Sequence, residues 1–407
     1  MLSSGNAGGA RIASTVGMTV VVQALTALAL AVPPILAPVA APDLGIAPAG
    51  VGNWVGFSYM VAMFAGLVSG TLVGRWGPVR VFEAAVFCVA AGLAIGSAAT
   101  LAATVLCGVL LGIAHGFVNP ASSTILAAAA PPHMRAMIFS IKQTGVPLGA
   151  ALAGALVPAL LLHASWQFTV LLLAAASAAL IAVVAPFRSA YDRDRKSGER
   201  LRLRGLAAPV LEVWRNRPVL HLALTSGVFS SVQMSFGTYL VSYLKLGLGY
   251  SLVAAGLMFS AAQLAGVLGR IAWGAVADRW LAPRLLLALL GLVMAACGGI
   301  AALFSTGWPM AGIVLVCVVY GATAVGWNGV FLAEVARLAP EGRVAIITGG
   351  TQFFTFAGVL IGPPVFGAIV SASGHYSSGF IFIAILPLAT GLGLLAQRKA
   401  SGMRDRG

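Results

Sequence analysis

Two cationic side chains stand where cations are costly. Lys142 and Arg270 both lie inside long apolar stretches of this 407-residue chain. A charge placed in hydrocarbon usually faces a partner or a water-filled path. All ten acidic residues can be located: Asp43, Glu83, Asp192, Asp194, Glu199, Glu212, Asp278, Glu334, Glu341 and Asp405. None falls near the middle of an apolar stretch, so neither cation has an evident carboxylate partner in the sequence. Fixed positive charge without counter-charge favours an anionic ligand. Arginine adds a planar fork that matches a carboxylate. Export of cationic compounds usually calls for an embedded acid, and this chain offers none. Neutral polar residues complete the candidate binding set: Gln23, His115, Asn119, Gln143, Gln233, Asn328 and Gln352. His115 and Asn119 share a helical face at i, i+4. A lone histidine that titrates near neutral pH in water is weak ground for proton coupling.

Position separates the two cations. Lys142 is seven residues beyond Arg135, about 10 Å along a helix at ~1.5 Å per residue. Arg270 is eight residues before Asp278, about 12 Å by the same rise. With a hydrocarbon core about 30 Å thick, both approach its middle. Helical side chains lean toward the helix N-terminus. Lys142 therefore leans outward and can snorkel to the head groups, whereas Arg270 leans toward the bilayer centre. Arg270 is expected to be the dominant substrate contact and Lys142 a secondary one.

The elements that must hold these residues are membrane-spanning helices. Hydrophobic residues make up 60% of the chain and charged residues 8%, with mean hydropathy +0.99. A soluble domain carries about 25% charged residues, so most of this surface faces lipid. Twelve stretches reach the ~20 apolar residues that a spanning helix needs. They are residues 15–38, 51–73, 81–98, 102–128, 137–161, 166–187, 219–244, 250–277, 285–304, 308–332, 344–371 and 377–396, numbered here as spans 1 to 12. The N-terminal tail, the loops after even-numbered spans and the C-terminal tail hold 21 of the 24 Lys and Arg residues. The opposite loops hold only Lys245. Positive loops stay inside, which puts both termini in the cytoplasm of a cell (inner) membrane protein. The net charge of +14 is then membrane topology and gives no reason to expect nucleic acid. Residues 188–217 carry nine basic and four acidic residues and read as a solvated cytoplasmic linker near anionic head groups. They divide the chain into a six-helix half at 1–187 and another at 218–407.

Cys88, Cys107, Cys297 and Cys317 sit inside apolar stretches as packing residues, without metal-ligand or disulfide spacing. The first residues lack a cleavable signal pattern, so span 1 is expected to serve as the targeting signal. No phosphate-cradling Gly-Lys-Ser loop, metal cluster or nucleophile–base–acid set is present. Neither an enzyme nor a cofactor is expected.

The halves repeat. Gly70, Arg75, Trp76 and Arg80 recur identically 204 positions later as Gly274, Arg279, Trp280 and Arg284. Gly112, Asn119, Pro131, Arg135, Gln143 and Gly149 recur as Gly321, Asn328, Pro340, Arg343, Gln352 and Gly358, at offsets of 208 or 209. Small residues also recur four apart in Gly145-Val-Pro147-Leu-Gly149 and Gly358-Val-Leu-Ile-Gly362-Pro363-Pro364. Such residues let helices approach closely, and proline bends them.

These residues resemble the major facilitator superfamily over essentially the whole chain. The resemblance implies an all-α membrane fold of twelve helices in two pseudo-symmetric six-helix halves, working by alternating access around a central site. It implies that spans 1, 4, 7 and 10 line a cavity. It also implies that the loops after spans 2 and 8 act in gating through Gly70, Arg75, Arg80, Gly274, Asp278, Arg279 and Arg284. The family's aspartate is present as Asp278 and replaced by Gly74 in the first half, leaving Asp278 as the latch candidate. The setting Gly269-Arg270-Ile-Ala-Trp273-Gly274 is similar to family members that carry carboxylates. The expected function is secondary transport of a small organic anion, foremost a monocarboxylate, driven by proton symport or anion exchange in a monomer within the lipid bilayer. The alternatives are an exporter of neutral or amphipathic compounds, and a non-transporting membrane sensor.

Overall fold

The computed structural model describes residues 2–131, 134–193, 208–340 and 343–404. Residues 194–207, most of the expected linker, lie outside the described residues. Among the described residues, twelve helices are long and apolar enough to cross a membrane. Those carrying the argument are span 1 at Ile12–Asp43, span 2 at Pro48–Trp76, span 4 at Leu101–Ala129 and span 5 at Met137–Leu160. In the second half they are span 7 at Arg217–Gly247, span 8 at Leu252–Arg279, span 10 at Met310–Leu338 and span 11 at Ile346–Ser373. Several run past the residues expected from hydropathy, because a helix continues into the interface wherever its backbone bonds can still be made internally. Span 1 carries Pro33, Pro34, Pro38 and Pro42 without ending at the first of them.

The chain forms two compact units. The first comprises Met1–Ile46 and Phe57–Arg202. In it span 1 packs on spans 4 and 5, and the Pro78–Gly96 helix packs on span 4 and on Trp166–Val184. Span 5 is built from two helices, Arg135–Gln143 and Gly145–Leu160. Pro147 has no N–H to give the Gln143 carbonyl, which accounts for the interruption at Thr144.

The second unit comprises Ala47–Gly56 and Leu203–Gly407. Span 7 packs along span 11, span 8 along the first part of span 10, and Pro283–Ala302 along Tyr376–Arg404. The first turns of span 2 also belong here. The fully buried Tyr239 hydroxyl accepts the Gly52 N–H at 3.1 Å and lies 2.7 Å from the Ala49 carbonyl and 3.0 Å from that of Pro363, to either of which it can donate.

The repeat appears in the packing. A Cβ on Gly149 would collide with the Ala24 carbonyl of span 1, and one on its repeat partner Gly358 with the Gly227 carbonyl of span 7. Without a hydrophobic drive between helices in lipid, such close approach of small residues holds spans together. Gly149→Ala and Gly358→Ala are each expected to destabilise their unit by about 1–3 kcal/mol. The thermal midpoint of the detergent-solubilised protein checks this, and an unchanged midpoint would show that the seam yields freely.

Candidate functional site

In the second unit the polar residues gather where span 10 breaks. Met310–Ala324 and Asn328–Leu338 are separate helices joined by a turn at residues 325–327. Gly326 weakens the helix there. Gly269 and Gly326 also let spans 8 and 10 meet backbone to backbone, since a Cβ on Gly269 would collide with the Ala322 carbonyl. A helix end leaves carbonyls without their usual donors. Two side chains of span 8, spaced i and i+3, reach them. Arg270 Nε donates to the Val325 carbonyl at 3.1 Å, and Trp273 Nε1 donates to the Ala322 carbonyl at 2.7 Å. Arg270 is partly buried and reaches the turn about midway along the 310–338 span. Gln233 Oε1 accepts from Trp327 Nε1 at 3.2 Å and from Asn328 Nδ2 at 3.5 Å, joining span 7 to the same turn. Phe229 stands edge-on to Trp327 with ring centroids 5.6 Å apart. Gln352 on span 11 is half-buried.

The first unit holds a second cluster, on spans 1, 2, 4 and 5. Lys142 is 3% exposed, and its Nζ donates to Asn119 Oδ1 on span 4 at 2.5 Å. The expected snorkelling does not occur: the neighbouring amide oxygen holds the ammonium inside the unit. His115, one turn before Asn119, is buried and meets the Tyr59 ring edge-on at 5.2 Å. Gly145, one turn beyond Lys142, packs against the Gln23 side chain. Gln23 is fully buried. Both its amide atoms, and His115 Nδ1, have no hydrogen-bond partner among the described residues. Buried polar atoms are normally satisfied by protein, water or ligand. Gln143 is half-buried.

The loop residues divide differently between the units. Arg284 Nε meets Glu334 at 2.8 Å, and Arg337 grips the same fully buried carboxylate by two bonds of 2.7 Å. Arg80, the repeat partner of Arg284, is exposed; position 125, where the repeat would place the acid, is Ile125. The first unit uses other charges. Arg188 meets Glu83 at 2.6 Å, and Asp192 accepts the N–H groups of Val79 and Arg80 at 2.9 and 3.2 Å. That carboxylate caps the N-terminus of Pro78–Gly96 and suits the helix dipole. Gly77, at φ 97°, is the only residue type that fits before it, since a Cβ would strike Asp192. Arg75, Asp278 and Arg279 are exposed. A Cβ on Gly70 or Gly274 would meet nothing within 4 Å, so close packing is not what places glycine there. Glu83, Arg188, Asp192, Glu334 and Tyr239 escaped the sequence reading, because each finds partners far along the chain.

Twelve apolar helices mark a multi-pass membrane protein. Residues 19–363 match the model of the Major Facilitator Superfamily, and the chain belongs to that transporter family. It is 24% identical over 351 residues to monocarboxylate transporter 13 of Bos taurus, covering 86% of this chain and 80% of the relative. It is 29% identical over 359 residues to the probable nitrate/nitrite transporter NarK2 of Mycobacterium tuberculosis, covering 85% and 86%. The fold is similar to the crystal structure of the nucleoside transporter NupG, with TM-score 0.76 at 14% identity over 94% of this chain and 99% of the other.

Proposed function

We propose that this transporter carries a small organic anion, foremost a monocarboxylate, by alternating access across the cell membrane, with both termini in the cytoplasm. The observation that carries the reading is Arg270, a guanidinium near the middle of an apolar span, oriented by its Nε–H bond to the Val325 carbonyl. An arginine keeps its charge in any such setting, and its natural ligand is a planar anion. Glu334, the buried carboxylate described in the second unit, is held by Arg284 and Arg337. Trp273, Gln233, Trp327 and Asn328 would bound the ligand's uncharged part. Relatives named for monocarboxylate and for nitrate/nitrite transport support an anion as cargo. In this reading 1–187 and 218–407 are the moving halves, 188–217 joins them, and the loops bearing Arg75, Arg80, Asp278 and Arg284 gate the inner face.

The test is flux into proteoliposomes containing the purified full chain. Radiolabelled L-lactate and pyruvate are expected to enter saturably and to compete with each other. Nitrate, a cationic dye and a neutral nucleoside run alongside them. Flux of the dye or nucleoside without carboxylate flux would overturn the reading, as would carboxylate binding without any flux.

A further inference from the structure

We propose that Gln233 selects the cargo: its amide N–H groups read a neutral oxygen on the anion, and Trp327 is the positioning residue that turns those N–H groups toward it. The inference rests on the anion reading above and deepens it. It makes the cargo a hydroxy- or oxo-carboxylate, with an unsubstituted carboxylate of the same size bound less well.

Trp327 comes first in the chain of causes. Its side chain is 1% exposed. Phe229 and Phe331 both stand edge-on to it, with ring centroids 5.6 and 5.5 Å away. A ring packed this closely from two sides does not turn, so the direction of its Nε1–H is fixed. An indole N–H donates and never accepts. The group facing it must therefore be an acceptor, and Gln233 Oε1 lies 3.2 Å away. The Gln233 amide has no second orientation, because the reverse one would set N–H against N–H. Asn328 follows in turn. Facing the same oxygen, it offers Nδ2 at 3.5 Å. One donor-only ring thus orients two amides.

Both hydrogen bonds described for Gln233 end on Oε1. The Nε2 end, with two N–H donors, is left to face whatever occupies the site. Gln233 is half-buried, and a polar group so placed takes its partner from water or from a ligand. Arg270 meets the same turn of chain only two residues before Trp327, at the Val325 carbonyl. A short acid gripped by Arg270 can therefore reach Gln233. A hydroxyl or oxo oxygen on that acid accepts the Nε2–H bond. An acid that ends in hydrocarbon strips water from the amide and gives nothing back, which is costly. A site built to bond a substrate oxygen rejects the analogue that lacks it.

The experiment compares L-lactate with propionate, which differ by one hydroxyl. Calorimetry measures the binding of each to the full-length protein in nanodiscs. Wild type is expected to bind L-lactate about tenfold more tightly than propionate. Gln233→Met keeps a side chain of similar length with no N–H to give. It should bring the ratio close to one, mainly by weakening lactate. Trp327→Phe keeps a ring in the packed position and lets the Gln233 amide turn, so it should lower the ratio with Gln233 itself intact. A merely structural role would weaken both acids alike and leave the ratio where it was. Equal binding of the two acids by wild type would overturn the inference and leave the anion reading standing. So would a wild-type ratio in Gln233→Met. A wild-type ratio in folded Trp327→Phe would overturn the part given to the indole. If neither acid binds to wild type, the anion reading falls and this inference falls with it. Melting temperatures show that each variant is folded. Should Trp327→Phe not fold, the wild-type ratio and Gln233→Met still decide.

Discussion

Replacing Arg270 by alanine is expected to weaken carboxylate binding roughly 10- to 150-fold, as the loss of a charge-assisted hydrogen bond costs about 1.5–3 kcal/mol. Lysine at this position keeps the charge but loses the fork and the Nε–H that reaches Val325, so Arg270→Lys should also bind poorly. Two readouts separate the roles. Without ligand, the thermal midpoint reports the hold on the Val325 carbonyl. The additional rise on adding L-lactate reports the anion contact. Both variants should lose some of the first and most of the second. A folded Arg270→Ala protein with wild-type lactate affinity would remove Arg270 from the binding site.

Stranding Glu334 should be the most destabilising change in the second unit. Its carboxylate is fully buried and is gripped by Arg284 and Arg337. Both arginines reach solvent, so either alone still answers part of the charge. Removing both, as Arg284→Met with Arg337→Met, leaves an uncompensated buried carboxylate and should cost about 3 kcal/mol. Adding Glu334→Gln to that pair removes the charge at nearly constant shape and should recover much of the loss. Melting curves of the three proteins decide the matter. A double variant as stable as wild type would mean the carboxylate is not ionised in its burial site.

The spans were legible because lipid imposes a simple demand, about 20 apolar residues in a row, and the repeat was legible because four regions match in order. Neither break within a span was anticipated: residues 137–161 and 308–332 each read as one continuous stretch. Pro147 accounts for the interruption at Thr144, whereas Gly326 weakens the helix at 325–327 without marking a break, since glycines also stand inside continuous spans such as 252–279. That turn supplies the carbonyl which orients Arg270. The outward lean expected of Lys142 followed from helix direction alone and took no account of Asn119 on another helix. Glu83 and Glu334 were placed only as acids away from the middle of an apolar stretch. Their burial depends on Arg188 and Arg284, which the fold brings from 105 and 50 positions away. Tyr239 was not singled out, since two of the backbone groups it serves, the Gly52 N–H and the Ala49 carbonyl, lie nearly 190 positions away.

The chain also fastens down the residues on each side of its central connection. Asp192, just before it, is bonded to the backbone of Val79 and Arg80. Glu212, just beyond it, is bridged to Arg343 at 2.7 Å, while Val213 lies buried on the helix Ala208–Arg215, which packs against span 11. A break in the polypeptide between 193 and 208 would thus create two new ends already tied into their own units.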